Sequence, residues 1–138
     1  MQEQWTRWEP IQGLARKYYI DSITDNIDEG FRVVLSESGN AKKTVHVVFR
    51  DSVDCYTSTN ESYINHLIFS LYERYGDDFY GDWTFFKVLN SDYLKRLSVL
   101  SSTISDDAGF THFVLLASDS MLDIITNYEP EIKFIDLP

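Results

Sequence analysis

Partway along this chain the apolar period changes from two to about 3.6, which confines the fold to a class that mixes sheet and helix. Phe31, Val33 and Leu35 alternate with Arg32, Val34 and Ser36, and Val45, Val47 and Phe49 alternate with His46, Val48 and Arg50. Period-two patterning puts one face of a strand in the core and the other toward solvent. Asp28-Glu29-Gly30 and Ser38-Gly39-Asn40 supply turn chemistry between these runs, and Lys17–Ile27 reads as a strand before them. The expectation is an N-terminal antiparallel meander. Before it, Pro10 is placed to open a short helix carrying Ile11, Leu14 and Ala15.

Beyond Asp51 the spacing lengthens. Ile64, Leu67, Ile68, Leu71, Tyr72 and Tyr75 fall on one helical face that ends at Gly76, and Ser58-Thr59-Asn60-Glu61 fits a capping box ahead of it. Trp83–Leu89 reads as a buried strand. Asn90 or Ser91 can cap a helix with Tyr93, Leu94, Leu97 and Leu100 facing inward, and Phe110–Ala117 is apolar enough for a central strand. Ser118 and Asp119 are set to cap a third helix with Met121, Ile124, Ile125 and Tyr128 at helical spacing. Pro130 stops it before a last short strand over Ile132–Leu137. The expected architecture is one α+β domain over residues 1–138: a β-meander, then alternating helices and strands, with the helices on one face of a largely antiparallel sheet. The helical connections leave room for a parallel pair among the last strands.

At 138 residues the chain is long enough to bury one core without disulfides or metals. Its single cysteine, Cys55, has no internal disulfide partner, which points to a reducing, cytoplasmic setting. The longest apolar stretch, Phe113–Ala117, falls far short of a membrane span, so no membrane partner is expected. The charge is one-sided. Residues 1–50 hold seven acids and seven bases, whereas the remainder holds 15 acids against five bases and so carries the whole net charge of −10. Such a field repels nucleic acid and favours encounter with a basic partner, although solubility alone also explains an acidic chain.

Motifs that carry chemistry are sparse. Cys55 stands between acids, which oppose thiolate formation, and His46, His66 and His112 have no metal-ligand spacing. Each histidine reads as a hydrogen-bonded structural residue. Asp119 and Asp123, one helical turn apart in the expected third helix, either share a cation or serve a helix N-terminus and solvent. No catalytic residue, metal ligand or cofactor is assigned. The segment Tyr75-Gly76-Asp77-Asp78-Phe79-Tyr80-Gly81-Asp82-Trp83 packs four aromatics, three acids and two glycines between a helix and a strand. Aromatic anchors within an acidic rim suit a protein interface, and Asp77, Asp78, Tyr80 and Asp82 are the candidate partner-binding residues. Against this stands a structural loop in which Phe79 and Trp83 plug the core. Trp5 and Trp8 pose the same choice between packing back on the sheet and forming an exposed patch. A pocket lined by Tyr18, Tyr19, Tyr56 and Tyr63 is the alternative, making the chain a small-ligand or regulatory module.

The run Glu29–Ser36, then Val45–Phe49, Tyr56–Tyr63 and Trp83–Val88, resembles small acidic immunity-type proteins associated with secreted polymorphic toxins of Bacillus-like bacteria. The resemblance spans about two-thirds of the chain as a pattern of strands and turns. It implies a non-catalytic antagonist, a monomer or weak homodimer, that occludes a basic protein such as a toxin.

Overall fold

In the computed structural model, which describes residues 2–100 and 109–138, the chain forms two antiparallel sheets and three helices. The strands are β1 (Gln4–Arg7), β2 (Tyr18–Asn26), β3 (Gly30–Glu37), β4 (Asn40–Phe49), β5 (Cys55–Asn60), β6 (Phe85–Leu89), β7 (Thr111–Leu116), β8 (Ser120–Thr126) and β9 (Glu131–Asp136). The helices are α1 (Asn65–Tyr75), the single-turn α2 (Asp78–Gly81) and α3 (Asp92–Leu100). One sheet runs β1-β6-β7-β8-β5 and the other β2-β3-β4-β9. The expected α+β mixture is present, but it is mostly sheet.

The meander β2-β3-β4 forms as its alternation requires. Phe31, Val33, Leu35, Val45, Val47 and Phe49 are all buried, and register pairs Phe31 with Phe49, Val33 with Val47 and Leu35 with Val45. β9 closes this sheet against β4, placing Ile132 opposite Val47. The five-stranded sheet packs against that inner face through rings: Phe49 meets Phe113 at 5.7 Å, Tyr18 meets Phe85 at 5.8 Å, and Phe31 meets Tyr56 at 4.6 Å. Its opposite face carries the helices, where Phe79 of α2 lies 5.2 Å from Phe86 and Tyr93 of α3 stacks on His112. The layers are therefore four-stranded sheet, five-stranded sheet, helices, and one apolar cluster runs through them. The helices lie on one face as expected, but of the five-stranded sheet, which is the middle layer of three.

This layering accounts for the largest departure from expectation. Residues Ser120–Thr126 are strand β8, not a third helix. In the middle layer both faces are covered, so Leu122 and Ile124 bury toward the other sheet while Ile125 buries toward the helices. Two-sided burial erases the period-two signal, and the remaining apolar set mimics helical spacing. The β7–β8 hairpin closes through Ala117 N–H to Ser120 O at 2.9 Å. All strand pairings among the described residues are antiparallel, so the parallel pair is not formed.

Other corrections are local. Residues 10–13 are bend and turn and residues 14–15 are irregular, not helix: Gly13 takes φ +90°, which ends any helical turn begun at Pro10. Ser58 is inside β5, paired with Leu122, so it caps nothing. Asn60 instead accepts from Ser62 N–H at 2.9 Å and starts a 3-10 turn, Glu61–Tyr63, ahead of α1. α1 buries Leu71 and ends at Gly76 as expected. The Ser91 cap on α3 is also present, with Leu94 N–H donating to Ser91 Oγ at 3.0 Å. Tyr93, Leu94 and Leu97 are partly buried, and the side chain of Leu100 lies outside the described residues. Trp5 and Trp8 pack back on the sheet: Trp5 is buried edge-on to Phe86 at 5.6 Å, and Trp8 lies 5.0 Å from Phe113.

Candidate functional site

The acidic–aromatic segment folds into α2 and the turns on either side of it, and its side chains divide between core and surface. Tyr75 stacks on Phe79 at 4.3 Å, and Phe79 reaches Phe86. Trp83 is buried, its indole N–H donating to Trp8 O at 3.0 Å. These three aromatics are structural anchors. Arg7 clamps the segment to β1, donating to the main-chain oxygens of Asp78 at 2.7 Å and Phe79 at 3.1 Å, with its guanidinium 5.8 Å from the Phe79 ring. The segment is thus seated on the sheet edge rather than hanging free.

The surface left over is specific. Tyr80 is half-buried against the core and meets Tyr72 of α1 edge to face at 4.7 Å. Burial, a hydrogen bond with Tyr72 and the negative charge of Asp77 together push the Tyr80 hydroxyl up to about 12, so it remains a protonated donor at neutral pH. On α1, Phe69 precedes Tyr72 by three residues and shares its face; Phe69 is 67% exposed, and Tyr63 just upstream is 83% exposed. Exposed rings at successive helical turns are a departure from the usual solvent face of an amphipathic helix. Asp77 and Asp78 make no side-chain hydrogen bond or ion pair among the described residues, and both are exposed together with Glu73. Asp82 differs: its carboxylate is held by Arg16 at 3.2 Å in an exposed ion pair.

Of the four sequence-predicted residues, Asp77 and Tyr80 are brought together, Asp78 stands exposed beside them, and Asp82 is turned to Arg16. Phe69 and Tyr72 were missed as surface residues. The signal for Phe69 lay in the helix pattern itself, since it stands off the apolar stripe Ile64-Leu67-Ile68-Leu71-Tyr75 that faces the sheet.

A second polar constellation was not foreseen. Ser91 Oγ and His112 Nδ1 are 2.7 Å apart, and His112 Nε2 and Asp123 Oδ1 are 2.7 Å apart, with all three residues buried. Ser91 is at the α3 cap, His112 on β7 and Asp123 on β8, so no local motif announces them. Asp123 is a buried hydrogen-bonded acid facing the helices, not a solvated residue of a helix, and Asp119 accepts from Ile20 N–H at 3.1 Å instead of capping one. The Ser91 hydroxyl is fully engaged, accepting from Leu94 N–H and donating to His112, and the Tyr93 ring roofs the imidazole at 5.2 Å. The constellation ties α3 to the middle sheet. His112 is a hydrogen-bonded structural histidine, as its isolation in the sequence implied.

Beside it, Cys55, Thr57, Tyr93, Arg96 and Leu97 line a cavity of about 310 Å³. Tyr93 Oη lies 3.0 Å from Cys55 Sγ and 2.6 Å from Thr57 Oγ1, and burial followed by the Cys55 contact pushes its hydroxyl up to about 12. The tyrosines proposed for a ligand pocket are not gathered. Tyr18 is buried and accepts from Ala15 N–H, Tyr56 lies against Phe31, and Tyr19 and Tyr63 are on separate exposed surfaces. No helix among the described residues is long and apolar enough to cross a membrane. Comparison of the chain with protein-family models, curated proteins and solved structures gives no match.

Proposed function

We propose that this chain is a non-catalytic binding protein that occludes a basic protein partner, in the manner of an immunity-type antagonist, through the face made by α1 and α2. The observation that carries the proposal is the pair of exposed rings Phe69 and Tyr72, with the half-buried Tyr80 against Tyr72, bordered by the carboxylates of Asp77 and Asp78, which have no ion-pair partner among the described residues. Large rings on a helix supply contact area at little entropic cost, and carboxylates at the rim raise the encounter rate with a basic surface. Residues 61–82 hold five acids and one base, Arg74, so the field has the sign this requires. The resemblance to immunity-type proteins supports the same assignment. Occlusion needs no bond-making residue: the rings exclude water from the partner's cleft, and the acids orient it during approach.

The test begins with capture of partners by the tagged protein at low and then moderate salt. A captured basic protein is then assayed for its own activity with and without this chain. Stoichiometric silencing by the natural chain, lost with Phe69→Ala/Tyr72→Ala, is the expected result. Silencing that survives this double substitution overturns the assignment of the face.

A further inference from the structure

The chain's other unabsorbed feature is a recess where the two sheets meet under α1. Lys17 precedes β2 and is held from several sides: its carbonyl accepts from Ser38 N–H at 3.0 Å, the next carbonyl, of Tyr18, accepts from Ser118 N–H at 2.9 Å, and the Arg16 carbonyl before it accepts from Thr84 Oγ1 at 2.9 Å. The main chain there is pinned to both sheets, so the side chain enters the recess from a rigid base. The recess has a volume of about 220 Å³ and is lined by Lys17, the apolar Ile64, Ile68 and Leu116, Tyr80, and the polar Glu61 and Asn65, among others. The half-buried Lys17 ammonium has one hydrogen bond, to Leu116 O at 2.7 Å, and no carboxylate partner among the described residues. Three other lysines differ in this respect, since Lys87 pairs with Glu129, Lys95 with Asp92 and Lys133 with Glu131.

We propose that Lys17 is a reactive amine site that condenses with small aldehydes entering this recess. The geometry meets the chemical needs of that reaction. A lysine nucleophile must be neutral, and desolvation of an ammonium with no ion pair among the described residues favours the neutral form, the one carboxylate on the recess lining, Glu61, being exposed to water. Burial lowers the Lys17 amine to about 8, which leaves roughly a quarter of it neutral at pH 7.5 against about 0.1% for an ordinary lysine. In the step, the nitrogen lone pair forms a bond to the aldehyde carbon, the nitrogen gives up its protons, and the carbonyl oxygen leaves as water. The product is an imine, and no oxidant or reductant is consumed.

The test uses the intact chain with acetaldehyde at pH 7.5, trapping the imine with cyanoborohydride and locating label by peptide mass. Lys17 is expected to label at least about tenfold faster than Lys42 and Lys43 on β4, with a rate that rises through a midpoint near pH 8. The preference is expected to vanish in concentrated urea, and Asn65→Trp, an exposed helix position at the rim of the recess, is expected to reduce it severalfold. Labelling of Lys17 no faster than of Lys42 and Lys43, or a preference that persists in urea or is unaffected by Asn65→Trp, overturns the proposal.

Discussion

Replacing His112 by Leu tests whether the buried Ser91–His112–Asp123 constellation holds α3 to the middle sheet. Leu nearly fills the imidazole volume, so the effect isolates the polar bonds rather than a cavity. Two bonds of 2.7 Å are lost, one of them to a carboxylate that has no other hydrogen-bond partner among the described residues. A hydrogen bond to a charged group contributes about 1.5–3 kcal/mol, and leaving the proton of the Ser91 hydroxyl, 4% exposed, without its acceptor adds about 1–2 kcal/mol. The predicted loss is therefore about 3–5 kcal/mol, or a drop in Tm of roughly 10–20 °C for a chain of this size. Replacing both partners, His112→Leu with Asp123→Leu, removes the buried charge along with its ligand and is predicted to cost less than the single change, about 1–2 kcal/mol. Urea unfolding of the wild type, both single variants and the double variant closes the cycle. A His112→Leu loss below about 1 kcal/mol, or a double variant that equals the sum of the singles, refutes the reasoning.

Two further predictions follow from the same geometry. Gly30 opens β3 at φ +75°, and a Cβ there would stand 2.3 Å from Phe49 O, so Gly30→Ala is expected to cost about 3 kcal/mol or more in urea unfolding; a loss under about 1 kcal/mol would contradict the packing of the β2–β3 turn against β4. Lys17 titrates at about 8 when folded and near 10.5 when unfolded, so above pH 8 the unfolded chain binds more protons and stability rises with pH. Between pH 8 and 10 the wild type is expected to gain roughly 1–3 kcal/mol relative to Lys17→Met, and parallel pH profiles for the two would contradict the burial of the amine.

How far the sequence discloses this fold depends on how many faces of each strand are covered. The meander is legible because the outer face of the four-stranded sheet meets solvent, leaving Arg32 and His46 polar between Phe31, Val33, Val45 and Val47. β8 is not legible because two layers cover it, and Asp123 reads as a solvated residue when its partner His112 lies on the neighbouring strand. β1 and β5 are edge strands, short and largely polar, and their pairing with β6 and β8 is decided by contacts far away in sequence. The candidate face was half legible. Asp77, Asp78 and Tyr80 stand out in the sequence by composition, whereas Phe69 and Tyr72 join them only once α1 is docked through Leu71. Asp82 is the reverse case, an acid that looks free until Arg16 is brought to it from 66 residues away.

The most direct test of the central claim, binding of a basic partner through the α1–α2 face, is to measure association and dissociation rates of the captured protein as a function of salt. Asp77→Asn/Asp78→Asn is predicted to lower the association rate severalfold at low salt, with the difference fading above about 0.5 M salt. Phe69→Ala is predicted to raise the dissociation rate at least tenfold with little effect on association. Unchanged rates for both variants would contradict that claim.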